Sequence, residues 1–320
     1  MEYFLKKYRI ELLVIIGLTV LLFLVIFINN RVEHLEEIVD FENAPEVGFE
    51  SIPQEDGPLT AISYDLPQRL SFAGEELTLD RSDLREQIDQ ELQINIYFHS
   101  NTIFLIKRAN KWLPQFEPIL ERNGIPDDFK YLPLIESGLL NAVSPANAVG
   151  FWQIVRSAGK ENGLEISREV DQRYDPIKAA EAACKYFKKA YEKFGNWTLV
   201  AASYNRGMTG LDKAIKKQKV DSYYDLFLNE ETSRYIFRIL AIKEIIENPE
   251  RYGFKINPKH LYQQDSIRYV EVSETIPDLV DFALEQGSNY KLLKRYNPWL
   301  RDDRLTVKRN EKYTIALPAI

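Results

Sequence analysis

The sequence predicts a mainly α-helical protein with an N-terminal transmembrane helix and a small C-terminal βααβ module. Three patterns indicate this: an uncharged apolar run near the N-terminus, apolar side chains at helical spacing from residue 81 to about 250, and strand-like alternation on either side of two short helices after residue 265. With 320 residues, 45% of them hydrophobic, the chain is long enough for one medium-sized domain and a small one.

Residues 10–28 are predicted to be a membrane anchor. The stretch from Leu12 to Ile28 has no charged side chain, and its 17 residues would span roughly 26 Å at 1.5 Å per residue. Basic side chains at residues 6–9 precede it, which predicts that residues 1–9 are cytoplasmic and that the rest of the chain is exported. A cleaved signal peptide is the alternative, but no pair of small residues follows the run, so an uncleaved anchor is favoured.

Residues 29–80 are expected to form an acidic linker. Residues 29–91 contain 17 acidic against 4 basic side chains, and prolines and glycines recur there without a sustained period. A flexible chain of about 50 residues would have an end-to-end distance of roughly 40 Å. We therefore expect this segment to hold a folded domain away from the bilayer.

Residues 81–255 are predicted to be an all-helical domain. Asp175 and Pro176 supply the N-cap and the first helical position of its clearest helix. Cys184, the single cysteine, falls on the apolar face of that helix, so it excludes an internal disulfide and reads as a small core residue. The candidate helices contain Leu84, Ile88, Leu92 and Ile96; Leu113, Phe116, Ile119 and Leu120; Ile177 to Lys193; Trp197 to Tyr204; and Thr232 to Glu247.

Residues 256–320 are predicted to be a separate small module, with the boundary near residues 256–265. Residues 291–320 carry 8 basic against 3 acidic side chains, although the whole chain has a net charge of −7. An acidic linker repels phosphate and an exported chain seldom meets DNA, so we exclude nucleic acid as a partner; the basic end suits an anionic polymer or is a solvated surface. The expected elements are strands at Ile267 to Val272 and Tyr313 to Leu317, and helices at Ile276 to Gln286 and Tyr290 to Tyr296.

Glu136 is the candidate proton donor. It ends an apolar run that starts at Tyr131, and Leu139 and Leu140 follow it. A carboxyl group among apolar side chains loses solvation of its charged form, so its pKa rises and it can stay protonated near neutral pH as a general acid. The alternative is a partly buried glutamate at a helix end that backbone donors satisfy.

Four motifs follow Glu136 in order, and together they resemble one family. They are Ser144–Val149 (SPANAV), Gly150–Ile154 (GFWQI), Ser203–Gly207 (SYNRG) and Glu231–Tyr235 (ETSRY). With Glu136 they resemble the lytic murein transglycosylases of glycoside hydrolase family 23, specifically the membrane-bound type D group, over roughly residues 85 to 255. The resemblance implies that residues 81–255 form a lysozyme-like catalytic domain on the periplasmic side of the inner (cytoplasmic) membrane, held there by the single-pass anchor.

The resemblance also implies a reaction and its residues. Glu136 would act first as acid and then as base on the MurNAc-β-1,4-GlcNAc bond of peptidoglycan, with Tyr235 hydrogen-bonded to its carboxylate. The N-acetyl group of the substrate would assist while its C6 hydroxyl closes on C1, giving 1,6-anhydroMurNAc ends without water, metal or other cofactor. The residues implied to line the glycan groove are Ser137, Ser144, Gln153, Tyr204 and Asn205.

Two other functions stay open at this point. A goose-lysozyme-like hydrolytic muramidase on the same scaffold needs a second carboxylate to activate water. The candidates are Asp127, Asp128, Asp171 and Asp175, and none is compelling. Asp127 and Asp128 begin the segment that leads into Tyr131, and helix capping explains Asp171 and Asp175. A non-catalytic peptidoglycan-binding anchor is the third possibility.

Two departures from the common family pattern bear on specificity. Phe151–Trp152 replaces the more usual Leu-Trp or Leu-Met pair, and Arg206 stands where a small residue is frequent. Neither removes a catalytic group. Arg206 would add a cation that can meet the lactyl or stem-peptide carboxylates of the glycan.

The C-terminal module resembles a divergent LysM domain. Tyr269–Val272 and Leu292–Leu300, with Asn297–Pro298 after a helix, carry this resemblance. It implies that residues 256–320 bind N-acetylglucosamine chains; the alternative is a packing appendage without sugar binding. The expected partners are therefore glycan strands and the membrane, and the sequence does not identify any protein partners.

Overall fold

The computed structural model describes residues 62–319. The predicted cytoplasmic segment at residues 1–9, the anchor at residues 10–28 and the linker up to residue 61 lie outside this range. Within residues 62–319, none of the helices combines the length and apolar character that a bilayer span requires.

The folded region begins before residue 81, with a short antiparallel hairpin. Its strands are β1 (Leu70–Phe72) and β2 (Glu75–Leu77), and both leucines and the phenylalanine are buried in the main core. The expectation that the linker extends to residue 80 is therefore wrong for the hairpin. Two strands of three residues are too short for the alternation of apolar and polar side chains to stand out from their acidic surroundings.

The main domain is helical, as predicted. Residues 82–247 contain eight α-helices, and short 3₁₀ turns such as Asp127–Tyr131 and Gln172–Tyr174 join some of them. The helices are α1 (Ser82–Tyr97), α2 (His99–Arg122), α3 (Leu132–Ser137), α4 (Arg156–Glu161), α5 (Pro176–Phe194), α6 (Trp197–Arg206), α7 (Met208–Gln218) and α8 (Glu230–Glu247).

Helix α8 lies at the centre of this domain. Ten of its 18 residues are buried, and it packs against α1, α3 and α6. Its first turns are also tied to α1, because the Arg234 Nε donates a 2.5 Å hydrogen bond to the carboxylate of the buried Glu91. A helix so widely covered is a rigid platform, and it places Tyr235 inside the domain.

The hairpin fixes the start of α6. The Glu75 carboxylate accepts hydrogen bonds from the backbone N–H groups of Trp197 and Thr198, at 2.7 and 2.9 Å, and from the Thr198 hydroxyl at 2.5 Å. A carboxylate at a helix N-terminus satisfies free N–H groups and interacts favourably with the helix dipole. Glu75, which lies in the segment predicted to be a linker, therefore positions the helix that carries Tyr204 and Asn205.

A buried arginine shapes the long loop between α3 and α4, residues 138–155. The Arg173 guanidinium binds both oxygens of Asp171, at 3.0 and 2.7 Å, and its Nη1 donates to the carbonyl oxygens of Asn147 and Ile154 at 3.1 and 3.2 Å. Arg173 and Asp171 are both buried. Because the ion pair is buried, removing either partner would leave an uncompensated charge, which ties the shape of the loop to the core.

The C-terminal module has the predicted βααβ order. Its strands are β3 (Ile267–Val272) and β4 (Tyr313–Pro318), which pair antiparallel, and its helices are α9 (Leu279–Glu285) and α10 (Tyr290–Tyr296). Helix α9 begins three residues later than predicted because Asp278 caps it, accepting from the N–H groups of Val280 and Asp281 at 2.6 and 3.2 Å.

The module and the helical domain share backbone hydrogen bonds. The Asp171 N–H donates to the Trp299 carbonyl at 2.9 Å, and the Arg301 N–H donates to the Glu169 carbonyl at 2.7 Å. Between these bonds, Val170 is buried in the core of the module. Residues 62–319 therefore form one compact unit, and contacts bridge the boundary predicted at residues 256–265.

The loop geometry predicts the effect of an alanine at Gly150. Its φ is +82°, and a Cβ atom there would lie 2.0 Å from the carbonyl oxygen of Arg173. We expect Gly150→Ala to lower the free energy of unfolding by about 2–4 kcal/mol in urea denaturation. Gly195→Ala is the matched control, because its φ is +64° with no atom within 4 Å, and it should cost about 1 kcal/mol. Equal losses would contradict the constraint that Arg173 places on the loop.

Candidate active site

Glu136 lies in the last turn of α3 and lines a cleft of about 600 Å³. The helix ends one residue later, where Gly138 adopts φ +63° and turns the chain into the loop. The other walls of the cleft come from that loop and from α5, α6 and α8. Glu136 keeps part of its surface open to the cleft, so a ligand bound there can reach the carboxyl group.

Tyr235 bonds directly to this carboxyl group. Its hydroxyl donates to the Glu136 Oε1 at 2.5 Å, and its side chain is buried on α8. Burial raises the pKa of Glu136 to about 7, against the lowering effects of the Tyr235 hydrogen bond and the Arg238 charge. Desolvation therefore dominates, and the carboxyl group is poised to hold or release a proton near neutral pH.

Three polar side chains of α8 face the cleft together. Glu231, Tyr235 and Arg238 are spaced four and three residues apart, which places them on one side of the helix, and all three line the cleft. The Arg238 Nη2 donates to the Ile135 carbonyl at 3.0 Å, so its cation lies beside the end of α3. The Glu231 charge raises the pKa of Glu136 further, whereas the Arg238 charge lowers it.

Four of the five groove residues expected from the sequence line the cleft. Gln153, at φ +45°, donates from its amide to the Gly150 carbonyl at 2.7 Å, which orients its side chain along the loop. The Tyr204 hydroxyl donates to the Trp152 carbonyl at 2.6 Å, and Tyr204 lines the cleft. The four residues that line the cleft are Ser144, Gln153, Tyr204 and Asn205.

Asn205 forms a network with the start of α8. Its Nδ2 donates to the Glu231 carboxylate at 2.9 Å, and its Oδ1 accepts from the Thr232 hydroxyl at 2.8 Å. Both ends of the amide are therefore engaged. The network fixes the position of Glu231 at the edge of the cleft.

Ser137 has a different place from the other four. Its hydroxyl donates to the Phe151 carbonyl at 2.9 Å and accepts from the Leu140 N–H at 3.3 Å, and it does not line the cleft. These bonds join the end of α3 to the middle of the loop. The structure therefore gives Ser137 a position from which it can hold the loop beside Glu136.

Glu231 is a cleft residue that the sequence did not indicate, and the carboxylates that were candidates lie elsewhere. Asp128 is paired with Lys243 at 2.8 Å, Asp171 is held by Arg173, and Asp175 caps α5. None of these lines the cleft. The available signal was the spacing: Glu231 precedes Tyr235 by four residues, so the two share a helix face.

The tyrosine hydroxyls stay protonated at neutral pH. Burial, reinforced by the neighbouring Glu136 charge, raises the pKa of both Tyr204 and Tyr235 well above the usual value. Each therefore acts as a hydrogen-bond donor.

Removing the Tyr235 hydroxyl should raise the pKa of Glu136. The hydroxyl stabilises the ionised carboxylate and so lowers the pKa of Glu136. In Tyr235→Phe this hydrogen bond is lost, whereas the burial that raises the pKa remains. A ¹³C NMR titration of the glutamate carboxyl signals would measure the change. Tyr204→Phe is the control, because the Tyr204 hydroxyl donates to the Trp152 carbonyl and not to Glu136. If the pKa of Glu136 rose more in Tyr204→Phe than in Tyr235→Phe, Tyr235 would not be the main donor to the carboxylate.

Comparison with known proteins agrees with this geometry. Residues 117–227 match the transglycosylase SLT domain family, and residues 268–320 match the soluble lytic transglycosylase C-terminal LysM-like domain family. Glu136 and all five expected groove residues fall within the first match, whereas Tyr235 lies eight residues beyond it.

The chain also resembles three curated proteins. Membrane-bound lytic murein transglycosylase D of Escherichia coli strain K12 and that of E. coli O6:H1 are each 29% identical over 260 residues, 78% of this chain and 55% of theirs. A putative tributyltin chloride resistance protein of Alteromonas sp. strain M-1 is 29% identical over 126 residues, 39% of this chain and 61% of that protein.

The chain spans about half the length of the two E. coli relatives. The resemblance expected from the sequence is confirmed by two independent family matches and by these relatives. Residues 117–227 are therefore similar to transglycosylase SLT domains, and residues 268–320 are similar to LysM-like C-terminal domains of soluble lytic transglycosylases.

Proposed function

We propose that this protein is a lytic transglycosylase that cleaves the MurNAc-β-1,4-GlcNAc bond of peptidoglycan and leaves 1,6-anhydroMurNAc ends. The observation that carries the proposal is Glu136, whose desolvated carboxyl group is bonded to Tyr235 at 2.5 Å inside the cleft of an SLT domain. Such a carboxyl group suits a residue that must first give a proton and then take one.

In the first step Glu136 acts as a general acid. Its proton moves to the glycosidic oxygen as the bond from that oxygen to C1 of MurNAc breaks, and positive charge develops at C1. The GlcNAc segment leaves with a new hydroxyl group, and the N-acetyl group of the substrate supports C1. A pKa of about 7 keeps a large share of Glu136 protonated at neutral pH, which this step requires.

In the second step the same carboxylate acts as a general base. It accepts the proton of the C6 hydroxyl while that oxygen bonds to C1, which closes the 1,6-anhydro ring and returns Glu136 to its acid form. Tyr235 and Arg238 favour the ionised carboxylate between the two steps, through a hydrogen bond and a nearby cation. One residue thereby serves both steps without water.

The cleft walls offer groups that suit an amino-sugar chain. Ser144, Gln153 and Asn205 provide hydroxyl and amide groups, and the Tyr204 ring provides an aromatic face. The exposed Arg206 also lines the cleft, where it can pair with a lactyl or stem-peptide carboxylate. Ser137 is a positioning residue in this proposal, because its bond to Phe151 supports the loop.

We also propose that residues 10–28 anchor the protein in the inner (cytoplasmic) membrane, with residues 81–320 on the periplasmic side. The uncharged run and the basic residues before it support this topology. The two E. coli relatives are named as membrane-bound proteins.

Hydrolysis is the second candidate, because Glu231 supplies another carboxylate in the cleft. A muramidase needs a carboxylate that activates water on the far side of the sugar from the acid. Among residues 62–319, Glu136 and Glu231 are the carboxylates that line this cleft. Glu231 accepts from the Asn205 amide, which occupies one of its oxygens and leaves the other to interact with water.

Product mass separates the two reactions. We expect sacculi treated with the protein to release muropeptides with anhydro ends, about 18 Da lighter than the hydrolytic products, because no water is added. Glu136→Gln should lower the rate of release by about a thousandfold while binding to sacculi persists, since it removes the proton donor. Glu231→Gln is the control, and loss of release in this variant with reducing ends in the wild-type digest would favour hydrolysis instead.

The rate should fall as the pH rises through about 7. Burial raises the pKa of Glu136, so the acid form needed for the first step prevails below that pH and disappears above it. Initial rates on sacculi from about pH 5 to pH 9 would show this limb. Glu231→Gln should move the limb to lower pH, because the Glu231 charge helps to raise the pKa of Glu136. A rate that keeps rising to pH 9 would contradict Glu136 as the acid.

A further inference from the structure

A second cavity, of about 520 Å³, lies between the helical domain and the C-terminal module. Helix α2, the loop at residues 138–155 and the start of α5 form one side, and β3, β4 and the end of α10 form the other. It shares no lining residue with the cleft that holds Glu136. Its volume is in the range of ligand sites, which occur preferentially at such junctions.

The two sides of this cavity are held together by contacts at its rim. Lys111 on α2 forms an ion pair with Asp265, and the Asn110 amide donates to the Tyr262 carbonyl at 3.0 Å. The backbone bonds from residues 169–171 to residues 299–301 close the junction elsewhere. The cavity is therefore preformed, so a ligand need not order its walls.

Aromatic side chains from both domains line the cavity. Trp112 is half-buried and contacts the Phe151 ring edge-to-face at 4.9 Å. Trp299 is buried and stacked on Tyr313, and Tyr269, 66% exposed, projects from β3. Aromatic rings with one open face bind the apolar side of a sugar ring.

Positive charge accompanies these rings. The Lys178 Nζ lies 5.3 Å from the centre of the Trp299 ring, and Lys178 has no ion pair within residues 62–319. The Arg295 guanidinium is mostly exposed and lies 3.6 Å from Asp265, whose carboxylate is already paired with Lys111. The charged side chains that line the cavity are three cations, Lys111, Lys178 and Arg295, and two carboxylates, Asp175 and Asp265. The lining therefore has one more cation than carboxylate, which would attract a carboxylate ligand.

One wall belongs to the loop that also shapes the catalytic cleft. Phe151 lines the cavity, whereas Gln153, two residues on, lines the cleft. The Phe151 carbonyl is bonded to Ser137, next to Glu136. Neighbouring residues of one loop therefore line the cavity and the cleft.

We propose that this cavity is a second peptidoglycan site that binds a muropeptide, with a sugar ring against Tyr269 and Trp112 and a lactyl or stem-peptide carboxylate at Lys178 and Arg295. Its ligand class rests on the proposed function, but the binding does not depend on turnover. A site of this kind would hold the enzyme on a strand next to the bond that it cleaves.

The test is a binding titration followed at the tryptophans. The Glu136→Gln chain, labelled with 5-fluorotryptophan, has four reporters, of which Trp112 and Trp299 line the cavity. A purified disaccharide-tripeptide muropeptide should shift these two ¹⁹F signals and leave Trp197, outside both sites, unmoved. If neither cavity signal moves at millimolar ligand, the proposal is overturned.

Two pairs of substitutions assign the binding to the cavity. Tyr269→Ala with Lys178→Ala should weaken the titration at Trp112 by about tenfold, because both the stacking surface and the cation are lost. Phe227→Ala with Lys291→Ala, at exposed positions outside the cavity lining, should leave it unchanged. The proposal is overturned if the two double variants bind the muropeptide with equal affinity, whether neither is weakened or both are weakened to the same extent. Because release of anhydro products is measured separately, failure here leaves the proposed reaction standing.

Discussion

The hydrogen bond between Tyr235 and Glu136 is the contact on which the rest of the site depends. It joins the end of one helix to the middle of another, so it forms only when α8 is packed in the core and α3 ends beside it. The two residues are 99 positions apart along the chain, so only tertiary structure brings them together. The same packing brings Arg238 and Glu231 close to the carboxyl group. Helix α8 therefore supplies the two groups that lower the pKa of Glu136, Tyr235 and Arg238, and the neighbouring charge that raises it, Glu231.

This arrangement leaves Glu136 between two protonation states. Burial disfavours the charged form, and a single hydrogen bond with one nearby cation opposes that effect without cancelling it. A stronger ion pair would hold the carboxylate permanently ionised, and a fully apolar site would hold it permanently protonated. Either extreme would suit only one of the two proton transfers that we propose. The partial compensation from Tyr235 and Arg238 is compatible with both of the proposed transfers.

Contacts with Arg173 and Ser137 determine the conformation of the loop at residues 138–155. Arg173 bonds to its carbonyl groups, Gly150 passes close to the Arg173 backbone, and Ser137 is bonded to Phe151. Arg173 is next to the segment that pairs with the C-terminal module through Val170 and Asp171. The module, the loop and the cleft therefore form a continuous set of contacts, in which neighbouring residues of the loop line the cavity and the cleft.

The sequence alone determined the helical class, the βααβ order of the last residues, Glu136 as the acid candidate and the motifs that carry the family resemblance, because each is encoded in local spacing. Tertiary structure decided the rest. The sequence did not predict the hairpin at residues 70–77, because its strands of three residues are too short to show an alternation of apolar and polar side chains. Glu231 lines the cleft and Ser137 does not, contrary to what the sequence indicated, because the direction of a side chain depends on how α8 and the loop pack. The cavity between the domains exists only where distant segments meet, which no local pattern records.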